Sequence, residues 1–523
     1  MPHVVTDTFA HVMLTRRAAL SGLLAGAVAV ASGVVIAAAI DVVSPVDAVG
    51  SEVIDRSPGS VKAWAIEQFG TSDKTVLRLG IYTILVIAAF TLGALSARRR
   101  TIGTTGIAAF GAVGALAALN RPDQGLLATI PSVLGALAGI AVLHWLLRLA
   151  TQTLHSAPAA DDTAPPPDVA PFDRRRFLIA SGATAAAAYT LGASGIALTK
   201  VRLNNLRRQA SRPLPPLDRP VAGTPTGAQL FDETPFLTPN SRFYRIDTAL
   251  SFPRATLDEW TLTIDGMVDR PLTFTYDDLL AREQVERTIT LCCVSNAIGG
   301  PLVGNARWQG VMLRDLLEEA GVRPSAEQVF STSADGWTSG FPVAAALDGR
   351  DAMVVLGMNG ETLPIEHGFP ARLVVPGLYG YVSATKWLER ITLTTWDDAG
   401  YWLQYGWAKD APVKTQSRID VPRPSSTIEA GRHAVAGIAW AQHRGIERVE
   451  VSIDDGPWLE ATLAVDVSDD TWRQWMIEWD ATPGEHTIAV RATDKDGETQ
   501  TADRADSYPD GATGHHTIQL TVE

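Results

Sequence analysis

The chain has 523 residues, with 44 Lys and Arg against 57 Asp and Glu, a formal net charge of −13. That length exceeds one hydrophobic core and suggests about three domains, and the acidic balance argues against nucleic acid as a partner, because phosphate binding needs clustered cations. The mean hydropathy of +0.08 is high for a soluble protein, and the excess is concentrated in residues 18–198, which carry long Ala, Leu, Ile and Val runs.

A membrane-crossing helix needs about 20 mostly apolar residues. Segments 18–40, 76–97, 102–119, 126–149 and 177–198 meet that condition, and none contains an acidic residue. Arg16-Arg17, Arg98-Arg99-Arg100 and Arg174-Arg175-Arg176 flank them. With five spans, all three clusters fall on one side, the cytoplasmic one by the positive-inside rule. The N-terminus is then cytoplasmic and everything beyond about residue 200 is outside. Asp173-Arg174-Arg175-Arg176-Phe177-Leu178 also resembles a twin-arginine export signal; the plainer reading is a positive-inside flank. Residues 156–172, rich in Pro, Ala and Asp, read as a cytoplasmic linker. His144 alone lies inside a span, so no bis-His haem is expected, and no CxxCH or iron–sulfur spacing occurs.

Residues 201–235 read as a connecting arm. From 236 to about 420 short strands alternate with turns: Trp260 to Ile264 and Arg372 to Val375 carry strand-type residues, and Leu313 to Ala320 predicts an amphipathic helix stopped by Gly321. From 421 to 523 the pattern is strands with Asp/Gly turns. Val449 to Ile453 alternates before Asp454-Asp455-Gly456, and Thr487 to Val490 and Thr517 to Leu520 repeat the rhythm of a small β-sandwich.

The two cysteines, Cys292 and Cys293, are adjacent, and adjacent residues rarely form a disulfide. On an extended segment they point to opposite faces, so only one can face a given pocket. A thiolate suits a soft metal; an isolated buried cysteine is more often a small hydrophobe. The stretch Met358-Asn359-Gly360 through His367-Gly368-Phe369-Pro370-Ala371-Arg372, then Pro376-Gly377 and Lys386-Trp387-Leu388, is dense in Gly and Pro. It marks a tightly turned path bringing backbone near a ligand. His367, Arg372 and Lys386 on it suit a ligand with phosphate and polar ring edges; the alternative is a surface turn with scattered charge.

The Cys-x-x-Asn motif, the Trp308-Gln309-Gly310 triplet, the MNG…HGFPARLVVPG block and the KWL tail resemble the sulfite oxidase family over residues 236–418. Residues 436–441, 445–451, 472–475 and 491–494 are similar to that family's Ig-like dimerisation domain. Together with the apolar segments, the resemblance implies a multi-domain chain. Residues 1–200 would be an N-terminal α-helical transmembrane bundle and 201–235 the arm. Residues 236–420 would be an α+β sulfite-oxidase-type molybdopterin domain, and 421–523 a C-terminal Ig-like β-sandwich.

It further implies one molybdenum–molybdopterin cofactor with Cys293 as catalytic metal ligand, Cys292 turned to the core, and cofactor contacts from Tyr244, Arg245, Ser333, His367, Arg372, Ser383, Thr385 and Lys386. Ala384 lies in the same loop. Animal and plant members carry a sulfite-binding arginine five residues after the ligand cysteine. Here Ile298 stands there, and Trp337 stands where the family commonly has a tyrosine. An apolar side chain does not compensate a buried anion, which counts against sulfite as substrate.

The expectation is thus a multi-pass protein of the cytoplasmic membrane with its catalytic domain outside. It would carry out two-electron oxygen-atom transfer on a small sulfite-like or sulfoxide-like substrate. Without haem or iron–sulfur cluster of its own it needs a separate electron partner, quinone-linked or a cytochrome; its other partners would be the lipid bilayer and a second copy in a homodimer. The rivals are a catalytically silent, membrane-anchored binding or scaffold protein that keeps the fold, and a transporter, which the apolar spans disfavour.

Overall fold

The computed structural model describes residues 2–69, 72–121, 124–152, 171–217, 223–253 and 256–523. Two compact units emerge, Met1–Asn205 with Thr248–Ser251, and Leu206–Asp247 with Phe252–Glu523.

In the first unit, every predicted apolar segment lies in a helix long and apolar enough to cross a membrane: Val12–Ala39, Asp73–Ser96, Arg100–Leu119, Leu126–Thr151 and Arg175–Gln209. The last continues into residues read from sequence as a connecting arm. Glycines let these helices touch backbone to backbone. A Cβ added at Gly22 or Gly93 would collide with main-chain atoms of the opposite helix, so glycine is what permits this close van der Waals packing. Two shorter helices, Pro45–Arg56 and Gly59–Phe69, join the first two long ones. Ser44 caps the former by accepting from the Asp47 amide. Most of the 156–172 linker lies outside the described residues.

Among the described residues the second unit holds four sheets. One runs Leu272–Thr275, Thr261–Gly266, Leu388–Thr394, Gln328–Ser333, Thr338–Pro342 from edge to edge; another runs Val285–Cys292, Val303–Met312, Met353–Met358, Glu361–Thr362, with Arg372–Val374 also paired to Met353–Met358. A shared apolar core that includes Leu262, Ile264, Val329, Val354, Leu373 and Ile391 joins these two sheets. The helix Leu313–Ala320 buries Leu313, Leu316, Leu317 and Ala320 on one face. It stops at Gly321, whose φ of 72° is a left-handed cap that glycine adopts without a Cβ penalty.

The C-terminal region is β-rich. A sheet of Gln416–Val421, Gly431–Trp440, Arg473–Ala481, Thr462–Leu463 and one of Thr427–Ile428, His516–Val522, Gly484–Asp494, Ile446–Ile453, Leu459–Glu460 enclose one core that includes Val435, Trp475, Val451, Val490 and Leu520. In His516–Val522 the residues Ile518, Leu520 and Val522 are buried in strict alternation. The Asp454-Asp455-Gly456 turn has φ of 52° and 54° at its aspartates. This is the double left-handed geometry of a type I′ turn, closed by the Gly456 amide donating to the Ile453 carbonyl at 2.9 Å, and the Asp454 carboxylate accepts from the Thr487 amide at 2.8 Å.

Candidate active site

Cys293 stands one residue past the strand Val285–Cys292. The last ladder pair is Cys292 with Val303; Cys293 then donates to the Leu302 carbonyl at 2.9 Å and accepts from the Asn296 amide at 3.0 Å, opening a turn. The Asn296 side chain accepts from Leu302 N at 2.8 Å, so the asparagine of the motif closes the loop behind the cysteine. Alternation separates the two thiols. Cys292 lies in an apolar cluster with Val294, Tyr379, Trp440 and Trp472, whereas Cys293 belongs to none of the apolar clusters. Both are free and buried. Burial raises both thiol pKa values; at Cys293 bonds from the Ser295 amide and hydroxyl, and the Lys386 charge, pull the other way.

Arg372 opens the strand Arg372–Val374 and is 5% exposed. Its guanidinium lies 5.1 Å from the centre of the Trp308 ring. Among the described residues it bonds only to carbonyls, of His367 at 3.1 Å, Ala384 at 3.4 Å and Leu373 at 3.4 Å. Trp308 is fully buried and anchored through its indole N–H to the Ile289 carbonyl, so the WxG tryptophan is the floor under the arginine. Burial pushes the Arg372 pKa down to about 10.

The MNG asparagine, Asn359, has φ of 53°. Its Oδ1 accepts from Arg307 N at 2.9 Å, and its Nδ2 donates to Thr238 O and Asn240 Oδ1 at 2.9 and 2.8 Å. That stitches the segment 238–245 to the sheet. His367 completes it, with Nε2 at 2.9 Å from the Asn240 carbonyl; this bond requires the proton on Nε2. Burial, with the Arg372 and Lys386 charges, depresses the His367 pKa to about 4. Tyr244, stacked on Phe243, is half-buried. Its phenol pKa is raised by burial and by both thiols, and lowered by Arg372, which puts the ring within electrostatic reach of Cys293 and Arg372 together.

Arg245 and Lys386 converge on a residue the sequence reading did not single out. The Asp247 carboxylate, 4% exposed, accepts from Arg245 Nε at 2.8 Å and Lys386 Nζ at 2.7 Å. Phe252 packs 4.6 Å from the Arg245 guanidinium and Trp387 4.7 Å from the Lys386 ammonium. Asp335 feels the same group: burial raises its pKa, Ser333 lowers it, and Asp247 and Lys386 act in opposite senses. The buried Ser333 hydroxyl makes no hydrogen bond of good geometry, and the Asp335 carboxylate is the group it influences. Ser383 donates to the Leu378 and Tyr379 carbonyls, an internal helix bond. Thr385 closes a buried hydroxyl triangle with Ser331 at 2.7 Å and Ser339 at 2.8 Å. Both of these side chains are therefore engaged within the fold, while Tyr244 and Lys386 lie within electrostatic reach of Cys293, Arg372 within reach of Tyr244, and His367 within reach of Arg372 and Lys386; Arg245 and Ser333 connect to this group through Asp247 and Asp335. Ile298 packs on Gly514, and Trp337 is half-buried in the turn that Asp335 closes.

These residues fit the implied cofactor. Among the described residues no group of three or more His, Cys, Asp or Glu can hold a metal, so a metal at Cys293 must bring its other ligands. A buried guanidinium without a carboxylate partner suits an anionic group.

The family model for the oxidoreductase molybdopterin binding domain matches residues 249–402. An uncharacterised oxidoreductase, YuiH, of Bacillus subtilis is 35% identical over 151 residues, 29% of this chain and 73% of that one. Sulfite oxidase of Gallus gallus is 29% identical over 310 residues, covering 50% of this chain and 67% of the relative. Mitochondrial sulfite oxidase of Rattus norvegicus is 28% identical over 290 residues, covering 46% and 53%. The chain thus spans about half the length of the rat protein. The crystal structure of the sulfane dehydrogenase SoxCD from Paracoccus pantotrophus aligns with a TM-score of 0.48 at 24% identity, over 61% of this chain and 92% of that one. A molybdopterin-binding oxidoreductase domain is the class these findings define. The chain belongs to the sulfite oxidase family of molybdopterin-dependent oxidoreductases.

Proposed function

We propose that this chain is a multi-pass protein of the cytoplasmic membrane whose extracytoplasmic part carries out two-electron oxygen-atom transfer on a small sulfite-like or sulfoxide-like substrate. The observation that carries the reading is the pair formed by the isolated Cys293 thiol and the buried, carboxylate-free Arg372, with Tyr244 in reach of both. The molybdenum–pterin group, when bound, supplies the redox chemistry.

The protein's part is to bind and orient. Cys293 would offer one thiolate to the metal; burial raises its pKa, the Ser295 amide and hydroxyl and Lys386 partly offset that, and metal binding would supply the rest of the deprotonation. Arg372, over Trp308, would hold the anionic part of the cofactor. His367, neutral at pH 7, keeps Nδ1 as an acceptor while Nε2 holds the Asn240 carbonyl. Asp247 fixes the heads of Arg245 and Lys386. Ile298 brings no cation to the substrate side, which favours a substrate less dependent on anion binding than sulfite.

The twin-arginine resemblance at 173–178 supports export of a domain folded around its cofactor. Five long apolar helices support an anchor in the bilayer, and the paired C-terminal sheets support an Ig-like sandwich, a candidate homodimer surface. Electrons pass to or from a separate quinone-linked protein or cytochrome. The test is metal and pterin analysis of purified protein, followed by dye-coupled assays with sulfite and with sulfoxides. About one molybdenum per chain, no haem absorbance and turnover with one substrate class is the expected outcome. Intact protein without molybdenum, or with pterin but no turnover of either class, would favour the scaffold reading.

A further inference from the structure

We propose that the C-terminal sheet region is a positioning element for the metal-binding thiol, gripping the chain on both sides of Cys293. The proposal rests on reading Cys293 as the ligand. Past the strand end Cys293 keeps one bond across to the Leu302 carbonyl and one to the Asn296 amide of its own turn, fewer holds than a mid-strand residue has, and strand ends open first. Val285–Cys292 is moreover an edge strand, and its outer edge needs partners.

The first grip lies three residues before the cysteine. Thr290 N donates to the Asp470 carbonyl at 2.9 Å, and Thr290 Oγ1 accepts from Trp472 N at 2.8 Å while donating to Asn305 Oδ1 at 3.0 Å. The Thr290 carbonyl accepts from Gln442 Nε2 at 3.2 Å. Thr290, Gln442 and Trp472 are all at most 3% exposed, so water does not substitute for these bonds. The second grip follows the cysteine loop. Arg418 Nη1 donates to the Gly300 carbonyl at 2.9 Å, its head locked on Asp420 by Nε at 2.6 Å. Asp420 is itself held by the Thr234 hydroxyl at 2.6 Å. Beside it Gly299, φ 72°, lies against the His516 ring, which occupies the space a Cβ would need. That ring is fixed in turn, its Nδ1 accepting from Ile419 N at 2.9 Å.

Ligand placement is sensitive to displacements of about 0.5 Å. Two grips from the C-terminal sheets, on either side of the thiol, add to the single bond by which its own sheet holds it. The C-terminal region then acts on the metal site independently of any dimer.

The test uses two variants of the full-length protein in a Cys292→Ala background, so that only Cys293 reacts. Gln442→Met removes one bond to Thr290, and the Gln442 Oε1 has no partner to lose. Arg418→Gln with Asp420→Asn removes the ionic part of the second grip without stranding a buried charge. In metal-free protein the rate of Cys293 alkylation by iodoacetamide should rise at least about threefold, and in loaded protein the thiolate-to-metal absorption band should shift at unchanged molybdenum content and oligomeric state. Arg418→Lys, which keeps a donor, should partly restore both readings. If both readings stay at the parent value in both variants, even with a lowered melting temperature, the grips serve the fold alone and the proposal is overturned. Faster alkylation in protein that binds no molybdenum would support the grips and overturn the cofactor reading instead.

Discussion

Replacing Arg372 by Met separates a structural charge from a cofactor-binding one. The guanidinium is 5% exposed, and its pKa falls from 12.5 to about 10 because burial disfavours the charged form. Arginine stays protonated at pH 7, so the depression is a standing penalty of roughly 3 kcal/mol in the cofactor-free fold. Three long bonds from a charged donor to carbonyls at 3.1 to 3.4 Å return about 1.5 kcal/mol each, the weak end for charged groups. The two sums largely cancel. Cofactor-free Arg372→Met should therefore unfold within about 1–2 kcal/mol of the parent, whereas breaking a well-paired buried ion pair costs about 3–5 kcal/mol. Cofactor retention should respond differently. A charge-assisted bond contributes about 1.5–3 kcal/mol, so affinity should drop by roughly ten- to a hundredfold. The assay pairs tryptophan-detected unfolding of metal-free protein with molybdenum and pterin remaining after gel filtration. A large stability loss together with undiminished cofactor would refute the argument and make Arg372 a structural residue.

Cys293→Ser should abolish turnover per molybdenum with the fold retained, while Cys292→Ala, deleting a small group against Trp440, should cost only about 1 kcal/mol and keep activity; the opposite pattern would shift the motif by one residue. His367 yields a pH signature. Its folded pKa of about 4 lies below the ordinary 6.5, so the unfolded chain takes up the proton first as pH falls. Its contribution is complete above pH 6.5 and is lost toward pH 4, amounting to about 2.5 kcal/mol at pH 4.5. The stability gap between parent and His367→Gln should shrink by that order between pH 7.5 and 4.5, and parallel curves would exclude the buried neutral imidazole. A C-terminal reporter should be active only outside the cytoplasm, and replacing Arg174, Arg175 and Arg176 together by Lys should impair export if the twin-arginine route is used.

Local pattern determined much of this protein. Apolar runs of spanning length marked the long helices, because length and composition alone decide whether a helix can cross lipid. Leu313 to Ala320 was legible from four apolar residues at helical spacing and a glycine stop, and Asp454-Asp455-Gly456 from turn chemistry. Strand geometry assigned the two cysteines to different faces before any contact was known. The helices Pro45–Arg56 and Gly59–Phe69 escaped notice because their short amphipathic patterns sit between much stronger signals. Other features belong to the tertiary structure alone. Thr261–Gly266 lies parallel to Leu388–Thr394, a pairing across more than a hundred residues that no local period encodes. Asp247 is an unremarkable acid in an extended segment until Lys386, far along the chain, meets it. The Arg372–Trp308 stack and the bonds reaching Thr290 from Asp470, Trp472 and Gln442 arise the same way. Periodicity specifies which face of an element is buried; only the closure of long loops decides what that face is buried against.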